Sequence, residues 1–360
     1  MINQIIHGDC LEVLRDIPDN SINLICTDPP YFKVKSDWWD RQWEKPEDFL
    51  EWIDKIAEQW QRILKPNGSL YCFADPKMSA RVEVKLSERF NIVNRITWQK
   101  PPFSTKAEMV VKQDLRSFFA ASESIIFCEH YGADNIAKGE AGYAARCNEL
   151  RGFVFEPLRA YLDSERKRGG ITSKQIIDAT KCFTVERHAF QKSQFELPTL
   201  ERYTLLQQSF PGYFTRPYEE LRLQYEELRR PFSVSADVPY TDVWEYPTVS
   251  AYPGKHPCEK PSAMLEHIIK SSSREGDAVL DCFAGSGSTL LAAKQLKRDF
   301  IGIEIDPHWI DQINQRLGNF SHQPTLEGRM QWLETQVKAQ TNKIKKLERQ
   351  QYHTQLSLFD

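Results

Sequence analysis

Residues 279–296 read VLDCFAGSGSTLLAAKQL: an apolar run, a tight group of glycines and serines, then an alanine- and leucine-rich run. The spacing predicts a strand over 277–282, a sharp turn through Gly285 and Gly287, and a helix over 286–295. Such a turn presents backbone N–H groups at the C-terminal edge of a sheet, where open α/β folds bind ligands. The third position of G-x-G-x-x-G is occupied by Leu290, and no Gly-Lys-Ser/Thr follows. Both common phosphate-binding patterns are therefore disfavoured.

A second strand is expected over 300–305, within IGIEID (301–306), with a helix over 307–317. It carries Glu304, 19 residues after Gly285, where an acidic side chain can chelate the two hydroxyls of a ribose. A nucleoside without phosphates fits both observations, with Asp281 and Glu304 in register. S-adenosylmethionine is the leading case.

Near the other end of the chain, TDPPYF (27–32) follows the apolar run Ile22–Cys26. Pro29 and Pro30 fix φ near −65° and carry no N–H, so the turn is stiff and its carbonyls stay free to accept. An ionised Asp28 and the Pro29 carbonyl make two acceptors for the two hydrogens of an –NH₂ group. Hydrogen bonds to both favour a more tetrahedral nitrogen, whose lone pair can attack an electrophilic methyl. Tyr31 can stack on a planar base, worth about 1–3 kcal/mol.

Between these stretches, 1–130 alternates strand-like and helix-like segments. Strands are expected at 22–27, 69–73, 91–98 and 124–128. A helix over 46–64 carries Phe49, Ile53, Ile56, Trp60 and Ile63 on one stripe and stops at Pro66-Asn67-Gly68. The rhythm implies a doubly wound, mostly parallel α/β sheet. The stretch 140–250 is polar, helix-rich and punctuated by prolines, and reads as an inserted module. Leu326, Met330, Leu333, Val337, Gln340, Ile344 and Leu347 follow alternating 4–3 spacing, the seam of a coiled coil or of a helix packed on its own domain.

With 41% hydrophobic residues and a net charge of −3 the chain has an ordinary core-forming composition. From Arg159 to Lys192, eight Lys/Arg stand against four Asp/Glu, a modest basic patch. The eight cysteines include no C-x-x-C pair, so neither a zinc site nor a disulfide framework is expected. No apolar run is long enough to span a membrane, and the first residues lack a signal-peptide pattern, so a cytoplasmic location is the default.

GDCLEVL (8–14), TDPPYF (27–32), RILKPNGSLYCF (62–73), HPCEKP (256–261), DCFAGSGST (281–289) and IGIEID (301–306) together resemble the amino-group DNA methyltransferases of the permuted β order. In that order the catalytic motif precedes the insert and the cofactor loop follows it. The resemblance covers roughly 1–130 and 250–320. It implies a Rossmann-like methyltransferase fold and S-adenosylmethionine contacts at Asp281, Phe283, Gly285, Gly287 and Glu304, with Asp9 and Lys260 as further candidates. It makes Asp28, Pro29, Pro30 and Tyr31 the catalytic group. Asp before Pro-Pro-Tyr resembles the N6-adenine enzymes more than the N4-cytosine ones. FKVKSDWWDRQW (32–43) and residues 100–127 are similar to prophage-encoded adenine methyltransferases, some with relaxed sequence specificity.

The expected organisation is therefore a catalytic half (1–139), a helical target-recognition insert (140–250), a cofactor half (251–320) and a C-terminal helix with tail (321–360). Trp38 and Trp39, with Trp43, could form a lid or wedge beside a base turned out of the duplex, or simply pack the loop. GITSKQIIDATKCFTVERHAFQ (170–191) resembles a helix-turn-helix, with a turn at 181–184 and a recognition helix over 184–191. Arg187, His188, Gln191 and Lys192 would then face DNA; the competing reading is a helical cap on the core. QLSLF (355–359) resembles the peptide that docks on bacterial sliding clamps, with Gln355, Leu356, Leu358 and Phe359 as contacts. A homodimer through 326–347 is a further possibility. The expected function is adenine-N6 methylation of DNA, against cytosine-N4 methylation or a non-catalytic DNA-binding clamp partner.

Overall fold

The computed structural model describes residues 2–34, 37–100, 118, 121–130, 154–191, 195–235 and 238–318. Lys192, the 326–347 seam and the QLSLF tail lie outside them. The chain divides into two compact units, one formed by Met1–Glu129 with Pro231–Asp360, the other by His130–Arg230.

The first unit is an eight-stranded sheet in the order β1-β8-β7-β2-β3-β5-β4-β6. Its strands are β1 (Gln4–His7), β2 (Ile22–Thr27), β3 (Leu64–Ala74), β4 (Phe90–Gln99), β5 (Ser122–His130), β6 (Val243–Glu245), β7 (Ala278–Asp281) and β8 (Asp299–Glu304). Pairing is parallel from β1 through β8, β7 and β2 to β3, then antiparallel between β3 and β5. The junction of β7 with β2, Leu24 opposite Val279 and Ile25 opposite Leu280, joins the two ends of the sequence. It is also where strand order reverses, since β7 leads outward to β8 and β2 leads the other way to β3. A crevice opens at such a switch point.

Both faces of the sheet are covered. Helix α2 (Pro46–Ile63) buries Phe49, Ile53, Ile56, Trp60 and Ile63, the whole predicted stripe. With α1 (Cys10–Leu14) and α3 (Ser79–Ser87) it packs on the face that receives Ile25 and Leu280. The opposite face receives Leu24, Cys26 and Val279 and is covered by α9 (Ser262–Ser272) and α10 (Ser288–Gln295), joined by α11 (Pro307–Gly318). Every residue of β2 is buried, which explains its unbroken apolar reading.

Two expectations shift. β3 starts at Leu64, directly after α2, and runs through Pro66-Asn67-Gly68 instead of after it. The register slips between Ile22–Leu64 and Leu24–Ser69, and that irregularity absorbs the three turn-forming residues at the sheet's margin. Residues 243–245, counted with the insert from sequence, form a strand of the sheet. Trp244 is buried, and Trp98 Nε1 donates to the Tyr246 carbonyl at 2.9 Å.

The second unit contains α4 (Glu156–Arg168), α5 (Ser173–Thr180), α6 (Phe183–Ala189), α7 (Leu200–Ser209) and α8 (Tyr218–Leu228) around its own core of Phe155, Leu158, Leu162, Ile176, Tyr203 and Leu206. Helices α5 and α6 follow one another where the sequence resembles a helix-turn-helix, with a tighter turn than expected. Lys181 (φ 51°) ends α5 in the left-handed conformation, and α6 starts at Phe183 after Cys182. α6 ends at Ala189, so Gln191 falls beyond the helix. Among the described residues no helix is long and apolar enough to cross a membrane.

Candidate active site

The C-terminal ends of β2, β7 and β8 open into a cleft of about 890 Å³ that includes open solvent. Thr27 ties the first two strands together. Its hydroxyl donates to Asp281 Oδ1 at 3.0 Å and accepts from Cys282 N at 3.1 Å. Asp281 Oδ1 also accepts from Phe283 N at 3.1 Å. Burial pushes the Asp281 carboxyl up to about 6, although hydrogen bonds from Thr289, Phe283 and Thr27 oppose it.

The glycine turn forms one wall. Gly285 has φ +47°, and a Cβ there would lie 3.0 Å from the His256 ring, so both conformation and space require glycine. Gly285 N donates to Glu304 Oε2 at 2.7 Å, and Asp306 N donates to Oε1 at 2.9 Å. Glu304 thus fixes the turn while each of its oxygens retains acceptor capacity. Phe283, Ile305 and Trp309 add apolar surface to the cleft. His256 lies between Trp39, stacked at 6.3 Å, and Trp309, edge-on at 4.5 Å. Burial and the Lys260 charge lower its pKa to about 4, so its ring is neutral near pH 7.

The TDPPYF turn forms the other wall. Tyr31 N donates to Asp40 Oδ1 at 2.7 Å and Lys33 N to the Asp40 carbonyl at 2.8 Å, which pins the stiff loop to the short 3-10 turn Trp38–Arg41. Lys260 Nζ donates to Asp28 Oδ2 and lies 3.5 Å from Glu123 Oε2. Lys100 Nζ holds the other oxygen of Glu123, and Tyr31 Oη donates to Glu123 Oε2 at 3.3 Å. Asp28 Oδ1 is buried and has no hydrogen-bond partner.

Electrostatics here are tightly linked. Burial raises the Asp28 carboxyl above its ordinary value, Lys260 and the nearby Tyr31 hydroxyl oppose that, and Glu123 adds to it. Burial works against the Lys260 ammonium, yet Asp28 and Glu123 hold it above the usual lysine range. Burial also penalises Glu123, but Lys260 and Lys100 bring its carboxyl below the ordinary value.

Asp28, Pro29, Pro30, Tyr31, Asp281, Phe283, Gly285 and Glu304 all line the one cleft, although far apart in sequence. Three expected cofactor residues are placed otherwise. Lys260 lines the cleft but gives its ammonium to Asp28. Asp9 does not line it; its carboxylate caps α1 through Leu11 N at 2.8 Å. Gly287 (φ +73°) serves the turn and packing, since a Cβ there would meet Ile313 at 2.7 Å. Trp39 lines the cleft, whereas Trp43 is buried against Phe49 and Trp52; the side chain of Trp38 lies outside the description. In the second unit, Arg187 and Gln191 are exposed, and His188 Nδ1 lies 3.5 Å from Glu196.

Sequence reasoning missed Glu123, Lys100, Asp40, His256 and Trp309. Glu123 left a faint signal, an acid just ahead of the apolar run Ile125–Cys128 of β5, and His256 opens the HPCEKP stretch. Among the described residues no cluster of metal-ligating side chains occurs.

The family model described as DNA methylase, N6_N4_Mtase, matches residues 22–315. DNA adenine methyltransferase YhdJ of Escherichia coli K12 is 27% identical over 322 residues, covering 88% of this chain and 83% of that protein. The type II methyltransferase M.HinfI of Haemophilus influenzae is 24% identical over 340 residues, covering 90% and 70%. The solved structure of the PvuII DNA methyltransferase, cytosine-N4-specific, is 15% identical and has a TM-score of 0.50 over 92% of this chain and 91% of that one, a likeness of fold. The family match runs from the first residue of β2 into α11 and so takes in both walls of the cleft: the chain belongs to the N6_N4_Mtase family of DNA methylases.

Proposed function

We propose that this DNA methylase transfers a methyl group from S-adenosylmethionine to the N6 amine of an adenine turned out of DNA. One observation carries the reading: Asp28 Oδ1, a buried carboxylate oxygen without a partner, lines the same cleft as Gly285 and Glu304. A buried acceptor left unmatched costs about 1–3 kcal/mol, which an incoming N–H donor recovers.

The residues present fit the cofactor. Gly285 leaves room beneath His256 that a Cβ would fill, Glu304 offers acceptors for ribose hydroxyls, and Phe283 and Trp309 offer apolar surface for a purine. Asp281 is an acid for the amino-acid portion. When bound, S-adenosylmethionine supplies an electrophilic methyl on sulfur. Asp28 Oδ1 and the Pro29 carbonyl accept the two amine hydrogens and orient the nitrogen lone pair, which positioning makes reactive. Tyr31 stacks on the base and helps offset the few kcal/mol needed to turn it out. Lys260 keeps Asp28 ionised. Adenine is favoured over cytosine by Asp at 28, and the name of the E. coli relative agrees.

Incubating the protein with duplex DNA and methyl-labelled cofactor, then digesting to nucleosides, tests this. Label in N6-methyladenosine is the expected result; label in N4-methylcytosine, or none, overturns it.

The exposed Arg187 and Gln191, with His188 and Lys192, are proposed to contact DNA from the helix-turn-helix unit, supported by the tight α5–α6 turn. Docking of Gln355, Leu356, Leu358 and Phe359 on a sliding clamp, and dimerisation through 326–347, rest on sequence pattern. A cytoplasmic location agrees with the free cysteines among the described residues.

A further inference from the structure

Behind the target wall stands a row of alternating charges: Lys100, Glu123, Lys260 and Asp28. Lys260 and Asp28 line the cleft; Glu123 and Lys100 do not. The Glu123 side chain is only 15% exposed. A buried carboxylate at the head of a sheet strand is costly, and an apolar residue in its place is often no less stable. What Glu123 touches gives the reason for it. Its Oε2 takes the Tyr31 hydroxyl, which also lies near Asp28, and sits beside Lys260, whose ammonium lies over the Tyr31 and Phe73 rings at 5.7 and 5.0 Å.

We propose that Glu123 is a positioning residue for methyl transfer: through the Tyr31 hydroxyl it fixes the ring that stacks on the target base, and through Lys260 it shares the cation that neutralises Asp28. The inference rests on the roles assigned above to Asp28 and Tyr31. Its physical content is a competition. If Lys260 served Asp28 alone, the whole ammonium charge would fall on that carboxylate and weaken Oδ1 as an acceptor. With Glu123 beside it the positive charge is divided, and Lys100 in turn keeps Glu123 ionised. Other titratable groups near this set are the Cys258 thiol, which faces Tyr31 and Lys260, Asp281 and the buried Cys26 and Cys72 thiols near Asp28, and His256 near Lys260.

Two variants separate the two actions. Glu123→Gln keeps an acceptor for the Tyr31 hydroxyl but removes the charge; Glu123→Ala removes both. Full-length wild-type and variant proteins are assayed with duplex DNA and labelled cofactor across pH, with cofactor binding followed calorimetrically. Glu123→Ala is expected to lose about 10- to 100-fold in kcat/KM, the worth of one hydrogen bond to a charged group, while cofactor Kd stays within about twofold. Glu123→Gln is expected to recover only part of kcat at neutral pH, because the undivided Lys260 charge leaves Oδ1 a weaker acceptor. Its acid limb is expected at lower pH than wild type, because removing the nearby negative charge makes Asp28 easier to ionise. Combined with Tyr31→Phe, the loss in Glu123→Ala should be less than multiplicative, since both cut one contact.

Wild-type kinetics in Glu123→Ala, an unmoved acid limb in Glu123→Gln, or losses that simply multiply would each overturn the proposal. If Glu123→Ala no longer binds cofactor, the acid limb of the isosteric Glu123→Gln decides alone. Absence of label in the wild type is a separate result and speaks against the proposed function itself.

Discussion

Lys260 and Asp28 stand 232 residues apart in sequence, and the Lys260 ammonium donates to Asp28 Oδ2 while Oδ1 stays buried without a partner. One carboxylate therefore has one oxygen for the protein and one for a guest. The contact exists because β7, from the late part of the chain, is laid beside β2 at the switch point of the sheet. Cofactor wall and target wall then face one cleft, joined at the Thr27–Asp281 hydrogen bond.

Removing the guest-facing acceptor should abolish chemistry without emptying the cleft. Asp28→Ala is expected to bind S-adenosylmethionine within a few-fold of wild type and to lose at least about a hundredfold in turnover, the loss of a charged hydrogen bond plus alignment. Calorimetry for the cofactor and label transfer for turnover give the two numbers. A variant with near wild-type turnover would remove Asp28 from the mechanism.

Replacing the partner should move the pH dependence in a stated direction. Lys260 is the strongest influence lowering the Asp28 pKa against the rise caused by burial. In Lys260→Met that opposition is gone, so the carboxyl stays protonated to higher pH. The acid limb of kcat/KM should shift upward, and turnover near neutrality should fall. A limb that stays in place would show that the ionisation of Asp28 does not control the rate.

Much of this was legible in the sequence, for identifiable reasons. β2 and α2 were read correctly because a fully buried strand is uniformly apolar and an amphipathic helix repeats at 3.6 residues. The catalytic and glycine turns were legible because proline and glycine fix backbone geometry locally. What failed was long-range. Nothing near Lys260 in sequence says that its ammonium reaches Asp28, and nothing near Trp244 says that it pairs with Trp98 as a strand of the sheet. Glu123 was missed because an acid near the start of a strand gains meaning only once Lys100, Lys260 and Tyr31 converge on it.

The glycine turn offers a test that separates strain from function. Gly285→Ala places a Cβ at φ +47° and 3.0 Å from His256. The left-handed conformation alone costs about 1–2 kcal/mol, and displacing His256 disturbs the cleft. Cofactor Kd is expected to rise about tenfold or more. Gly212→Ala is the control: it also sits at positive φ (+84°), has nothing within 4 Å, and lies in the other unit. It should lower Tm modestly and leave cofactor binding unchanged. Equal effects on binding from both variants would reduce Gly285 to a stability position.

Asp281 gives the clearest separation of stability from function. Burial raises its carboxyl from 3.8 to about 6. The sign follows from the protonated form being favoured in the fold. The group's contribution to stability is full below 3.8 and is lost as pH rises through about 6. At neutral pH the folded chain therefore holds a carboxylate at a cost on the order of 3 kcal/mol at most, which is what remains of the burial penalty after the hydrogen bonds from Thr289, Phe283 and Thr27. Asp281→Asn removes the charge and can keep the bonds from Thr27 Oγ1 and Phe283 N at its carbonyl oxygen. The difference in Tm, variant minus wild type, should grow between about pH 4 and pH 6.5 and then level off. Cofactor affinity should fall in the same variant, because the acid proposed to meet the cationic amino group is gone. A variant that is less stable than wild type at pH 7.5 would mean that its hydrogen bonds, and not burial, decide the energetics of Asp281.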